Sequence, residues 1–223
     1  MLDDAHIALM PSRALVAELR ELARNDPRIY EITTARPGTP DPAALVTLTN
    51  DAGEITFQMI DLPVPGAAGR LYVGQLPGRA SNLAGELDAL VAFGIRHVFS
   101  LLPAIDLADP YRVPTYIEEA RARFADRFFS VDVIDYEAPP DDVPFEAALN
   151  AAHRALSAGD KVYVHCGAGC GRAGMFASCL LVDTGAEPID AIKQFRAIRG
   201  CGPESTDQVA YVVRHARRRA MTG

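Results

Sequence analysis

Five residues separate Cys166 from Arg172, and three of them are glycine. The run reads Lys161-Val-Tyr-Val-His-Cys166-Gly-Ala-Gly-Cys-Gly-Arg172-Ala-Gly174. The bare Cys/Arg spacing arises by chance in roughly a third of chains of this composition. Requiring His before the cysteine and Gly at the third loop position lowers that to roughly 6 in 10,000. Glycines at 167, 169 and 171 let successive backbone N–H groups converge into an anion-binding nest without obstruction from Cβ atoms. A helix beginning there would aim its N-terminal amides and positive dipole end at the same spot. The planar fork of Arg172 can grip two oxygens of a tetrahedral anion, and the same donors favour a thiolate at Cys166. A thiolate on the floor of a phosphate cradle can attack phosphorus and form a phosphocysteine. The candidate phosphate-binding set is therefore Gly167, Ala168, Gly169, Cys170, Gly171 and Arg172, with Cys166 as nucleophile.

Attack on a phosphate ester also needs an acid for the leaving oxygen. Asp132, Asp135 and Glu137 lie upstream, just before Pro139-Pro140. Asp135 sits where a strand pattern ends and could overhang the cradle; Asp132 is expected within the strand, and Glu137 is the reserve. His165, at the end of a buried strand, suits a structural role of bonding loop carbonyls and orienting Cys166 better than that of a general base. Cys170 reads as a small residue that fits the loop, the alternative being a reversible disulfide with oxidised Cys166. Cys179, among apolar residues, reads as core. A zinc site from His165, Cys166, Cys170 and Cys201 lacks a C-x2-C pair and leaves the glycines unexplained, so no metal is expected.

The elements that must position these groups follow from periodicity. Residues 12–25 carry Leu15, Leu19 and Leu22 on one helical face, with Ser12 as candidate cap and Pro27 as stop. LVTLT-NDAG-EITFQMI reads as a β-hairpin. From Leu71, strand patterns (LYVG, RHVFSLL, RFFSVDVI, KVYVHC) alternate with helical ones at 82–93, 113–125 and 143–158. Helical patterns at 173–184, 188–198 and 205–219 close the chain. The expectation is an α/β fold, a largely parallel central sheet flanked by helices, with an N-terminal helix-and-hairpin extension. Ligands in such sheets bind beyond the carboxyl ends of the strands, where the glycine turn falls. The Pro/Gly-rich stretch around residue 65 divides an extension (1–65) from a catalytic domain (66–223).

The chain has 223 residues, with 22 basic and 29 acidic side chains. At 49% hydrophobic and 23% charged it is neither a disordered nor a fibrous sequence. A net charge of −7 argues against nonspecific nucleic-acid binding. No signal segment or bilayer-length apolar run is read, and four clustered cysteines do not resemble a secreted disulfide framework. A cytoplasmic location is expected, with no nucleic acid or membrane as partner. The RHARRR run at 214–219 reads as a solvated helix end.

HCGAGCGRAG resembles the H-C-x-x-G-x-x-R signature of the cysteine-dependent protein tyrosine and dual-specificity phosphatases. GIRHVFSLL, YRVP at 111–114, the Asp135 loop and AIRG at 197–200 are similar to the kinase-associated, cyclin-dependent-kinase-inhibitor-type members, over roughly residues 70–218. The resemblance implies the cysteine-phosphatase fold, Cys166 as nucleophile, Arg172 as phosphate grip, Asp135 as general acid and no cofactor. It implies phosphotyrosine substrates on proteins or peptides, phosphoserine and phosphothreonine being further candidates, and inhibition by vanadate-like oxyanions. Phosphoinositide or RNA 5′-phosphatase activity on the same fold, or a non-catalytic phosphate-binding module, are the alternatives; the absence of Lys from the loop weighs against an inositol headgroup. Ser205, Thr206 and Gln208 fall where related enzymes place groups that position water, though they read equally as a helix cap and surface. Many relatives carry Ser or Thr after the arginine to help the thiolate leave. Ala173 stands there in this chain, so slow breakdown and accumulation of phosphocysteine are expected.

Overall fold

The structure is a computed structural model and describes residues 13–49 and 55–222. Ser12 and the hairpin turn at 50–53 lie outside the described residues. Six strands, β1 (Leu45–Thr49), β2 (Ile55–Leu62), β3 (Arg70–Gly74), β4 (Ile95–Ser100), β5 (Phe128–Ser130) and β6 (Lys161–His165), form one sheet ordered β1-β2-β3-β6-β4-β5. β3, β6, β4 and β5 are mutually parallel. The hairpin β1–β2 joins antiparallel, with Met59 opposite Gly74 and Leu62 opposite Leu71. The expected α/β architecture is what the chain adopts, and residues before 66 supply two of the sheet's strands.

Strand alternation divides the core. In β6, Val162 and Val164 belong to one buried cluster and Tyr163 to the other. The first face is covered by α1 (Arg13–Asn25), α2 (Pro27–Thr34), α6 (Asp142–Ser157), α7 (Gly171–Asp183), α8 (Pro188–Arg199) and α9 (Thr206–Thr222). The second is covered by α3 (Leu83–Phe93), α4 (Ala104–Ala108) and α5 (Tyr116–Phe124). Residues 171 to 182 of α7 are all buried, as expected of a helix that is apolar on every side. Among the described residues no helix is long and apolar enough to cross a membrane.

Three local expectations need correction. Pro27 ends α1, but it also opens α2 as the first helical residue, with Asp26 capping through the Arg28 N–H at 3.1 Å; proline is tolerated at that position because its missing N–H would be unpaired there anyway. Asp132 lies beyond β5, which ends at Ser130. The short helix α4 has no counterpart in the periodicity.

The basic run at the C-terminus is only partly solvated. His215 is buried and lies 3.0 Å from Glu146 and 2.8 Å from Asp183 through its two ring nitrogens. Burial works against its charge, but the two carboxylates win and raise its pKa above the ordinary value of 6.5. Asp183, also paired with His153 and Arg219, is held well below its ordinary value of 3.8 despite burial. The histidine's contribution is thus complete below about pH 6.5 and lost as pH rises through the raised folded value. The aspartate's is present above about pH 4 and lost on acidification. His215→Leu is expected to cost about 3 kcal/mol and to lower Tm by roughly 6–12 °C for a chain of this size. Melting between pH 6 and 9 checks it: the parent should lose stability with rising pH more steeply than the variant, and equal slopes would exclude the pairing.

Candidate active site

Residues 166–170 connect β6 to α7, at the carboxyl end of the parallel strands. The loop's shape is imposed from outside. The Gly167 carbonyl accepts from Leu76 N–H (3.2 Å) and from Arg79 (2.9 Å). The carbonyls of Ala168 and Gly169 accept from Arg199 at 2.9 and 3.2 Å. With three successive carbonyls tied outward, their peptide N–H partners are turned to the concave side. Gly169 has φ +75°, and a Cβ there would collide with the Gly74 backbone at the end of β3. Gly167 is required for space instead: a Cβ would strike the Tyr111 ring. Cys166 lies at the bottom, 3% exposed.

Arg172, in the first turn of α7, is 1% exposed. Its guanidinium donates to Asp106 at 2.6 Å and to the Val133 carbonyl at 3.0 Å. It also lies 3.2 Å from Asp135 and 3.5 Å from the Tyr111 hydroxyl. Burial opposes its charge, yet the proximity of Cys166, the hydrogen bond to Asp106 and the nearby Asp135 hold its pKa above the ordinary value. The fold therefore brings Asp135, from the segment after β5, to Arg172 at the end of the loop that begins at Cys166. Asp132 is not on the arginine; desolvation, with Asp106 nearby, raises its pKa.

His165 faces away from the cradle. Its Nε2 meets the Tyr116 hydroxyl and its Nδ1 lies 3.4 Å from the Cys166 carbonyl, between the rings of Tyr116 and Tyr163. Burial lowers its pKa to about 3, so it is neutral, and a proton on Nδ1 serves both contacts. Ala173 is fully buried in α7. Ser205 caps α9, its Oγ accepting from Gln208 N–H at 3.2 Å. Gln208 is buried beside Gly171; its Oε1 accepts from Glu204 and Ser205 N–H, while Nε2 has no hydrogen-bond partner among the described residues.

The residues 69–222 match a family model described as a Swiss Army Knife protein, DSP-PTPase phosphatase domain. The chain belongs to this family. It is a phosphatase of the dual-specificity and protein tyrosine phosphatase class. No curated protein matches it. Among solved structures it is similar to kinase associated phosphatase (KAP) with a substitution of its catalytic-site cysteine by serine: 21% identity, TM-score 0.66, covering 74% of this chain and 96% of that one. It is also similar to Tk-PTP in the active form (24% identity, TM-score 0.55, 69% and 98% covered). PTPMT1 matches at 18% identity and TM-score 0.52, with 69% and 95% covered. At these identities the likeness is one of fold.

Several groups around the phosphatase site were not expected from sequence. Asp106 and Tyr111 reach it from α4 and the turn after it. Arg79 comes from a loop fixed by buried Glu86, which accepts from Gly78 N–H (2.6 Å) and Ser81 (2.7 Å). Arg199, within the AIRG stretch, ends α8 before the left-handed Gly200, a basic residue just before a C-terminal glycine; neither pattern assigned it to the loop carbonyls.

Cys170 is neither free nor matched to Cys166: it forms a disulfide with Cys201, across a sequence separation of 31. The bond ties the phosphate loop to the turn between α8 and α9. Cys179 is free, and burial raises its thiol pKa well above ordinary. A cross-link of this span contributes about 3–4 kcal/mol on the chain-entropy estimate. Cys201→Ser is accordingly expected to lower Tm by roughly 6–15 °C. Dithiothreitol should lower the Tm of the parent and leave that of the variant in place; a parent indifferent to reductant would remove the bond from the account.

Proposed function

We propose that the chain hydrolyses phosphotyrosine monoesters in proteins and peptides through a phosphocysteine. The observation that carries this reading is the convergence of Asp135 on Arg172 above the amide-lined loop that holds Cys166. In the reaction, the phosphate's non-bridging oxygens take the place of Asp135 at the guanidinium and occupy the loop amides. The Cys166 thiolate attacks phosphorus as the ester P–O bond breaks, and protonated Asp135 gives its proton to the leaving oxygen. Asp135, now a carboxylate, then takes a proton from water. The resulting hydroxide attacks phosphorus, the S–P bond breaks, and the products are inorganic phosphate and the thiolate. Gln208 Nε2, a buried donor beside Gly171 without a partner among the described residues, suits the positioning of that water. Arg172 and the amides hold the charge of both transition states.

Tyr111 packs on Gly167 at the cradle, and Tyr136, 59% exposed, follows Asp135 in the chain. They supply aromatic faces for a phosphotyrosine ring. The reading is tested with a panel of phosphotyrosyl, phosphoseryl and phosphothreonyl peptides, phosphoinositides and 5′-phosphorylated RNA, with vanadate as inhibitor. Phosphotyrosyl peptides should be turned over fastest; exclusive turnover of a lipid or RNA substrate would replace the reading. Asp135→Asn is expected to lower kcat on phosphopeptides by about 10²–10³-fold. An aryl phosphate with a strongly acidic leaving group needs less protonation and should lose less. Equal losses on both would take the acid role from Asp135.

A further inference from the structure

Beside the phosphate loop lies a cavity of about 670 Å³ that the reaction does not use. One wall is α2 and the segment 35–38, the other is α8 and the turn at 200–204. The walls are stapled together. Arg196 donates to the carbonyls of Ile32, Gly202 and Pro203. Gly38 N–H donates to Gly200 at 2.7 Å and Asp41 N–H to Ile198 at 2.8 Å. The cavity is thus preformed, of the size typical for ligand sites.

Its inner edge is shared with the catalytic loop. Cys201 is disulfide-bonded to Cys170, and Gly202 packs on the Cys170 carbonyl. The Glu204 carboxylate packs beside Gly171. Tyr136, next to Asp135 in the chain, completes that edge. An extended peptide advances about 3.3 Å per residue, so a chain whose phosphorylated residue is in the loop would place a neighbour one to three positions away here.

The lining selects the chemistry. Ile32, Pro37, Ile189 and Ala197 give it apolar surface. Of its four cations, Arg28 is taken by Asp26 and Arg196 by the three carbonyls. Arg36 and Lys193, both exposed, have no hydrogen-bond or ion-pair partner among the described residues. Of the two acids, Glu204 is turned to the phosphate loop, and Glu31 remains on the rim.

We propose that this cavity is a substrate-recognition subsite for an anionic residue, a carboxylate or a second phosphate, within three positions of the phosphorylated residue. Arg36 and Lys193 bind that anion, and the N-terminal segment is thereby part of substrate selection. The inference rests on the phosphopeptide reading given above.

The test compares phosphotyrosyl peptides that differ only in carrying a neutral, an acidic or a second phosphorylated residue at those positions. Each kcat/KM is taken as a ratio to that for p-nitrophenyl phosphate. The parent should favour the anionic peptides by about tenfold, the effect of two exposed charge pairs. The double variant Arg36→Glu/Lys193→Glu should lose or invert this preference, and Glu31→Gln should increase it. Ala197→Trp, which fills the cavity from an exposed position, should raise KM for the anionic peptides. The acidic and phosphorylated arms tell the two anions apart. Equal ratios for neutral and anionic peptides in the parent, or a preference that survives the double reversal, would overturn the subsite. Failure to hydrolyse p-nitrophenyl phosphate at all would instead overturn the phosphatase mechanism on which it rests.

Discussion

Cys166→Ser should reduce turnover of every phosphomonoester to background, a loss of about 10⁴-fold or more. The loop is built for an anion at its floor, and a thiol ionises near neutral pH where an alcohol does not. No neighbouring base compensates: His165 is neutral, turned to Tyr116 and to a backbone carbonyl, and its pKa near 3 makes it a poor proton acceptor. Serine is no larger than cysteine, and the loop is held by Arg79, Arg199, Leu76 and the Cys170–Cys201 bond rather than by the thiol. The variant should therefore fold with an unchanged Tm and still bind phosphotyrosyl peptide, which calorimetry would show. Retained turnover would take the nucleophile away from Cys166. Loss of binding along with turnover would mean that the thiolate shapes the cradle rather than reacting from it.

Arg172→Lys should cost about 10³-fold in kcat/KM. Removing a single preorganised donor from a developing oxyanion costs about 10²–10³-fold, and the guanidinium offers a planar pair that an ammonium cannot match. Lysine would also leave Asp106 and the Val133 carbonyl without the partners they have at 2.6 and 3.0 Å. Because that arginine is buried, some loss of stability is expected as well. The kinetic consequence is separated from it by assaying well below the variant's Tm. Vanadate inhibition should weaken in parallel with catalysis, since the same donors serve the ground-state anion and the transition state. A variant with near-parent kcat/KM would show that the loop amides alone hold the phosphate.

The form of the candidate phosphate loop was legible because its parts are local. Cys166, the glycines and Arg172 lie within seven consecutive residues, and the strand before and helix after them have ordinary periodicities. The α/β order and most helices could be read for the same reason. Asp135 could be placed only by its position after a strand pattern, and its contact with Arg172 depends on how residues 131–135 leave the sheet. Asp106 was invisible, since α4 has five residues and no period to detect; Tyr111 opens the YRVP stretch, which marked a resemblance but gave the side chain no role. Arg79 and Arg199 act on loop carbonyls 88 and about 30 residues away in sequence, a relation that exists only after packing. Cysteine spacing cannot assign connectivity, which is why the Cys170–Cys201 bond was missed. Pro27 was read as a stop, whereas proline marks a helix start equally well, and α2 with its cavity wall was lost with it.

Everything in the proposed reaction turns on a covalent bond between phosphorus and the Cys166 sulfur. Ala173, buried where many relatives place a hydroxyl, should slow its hydrolysis, so the intermediate is expected to build up. The most direct measurement is rapid acid quenching of the parent enzyme during turnover of an aryl phosphate, followed by peptide mass analysis. The expected result is a burst of released phenol and a phosphate mapped to Cys166, with both absent in Cys166→Ser. Steady turnover with no burst and no phosphate on Cys166, or a phosphate found on another residue, would contradict it.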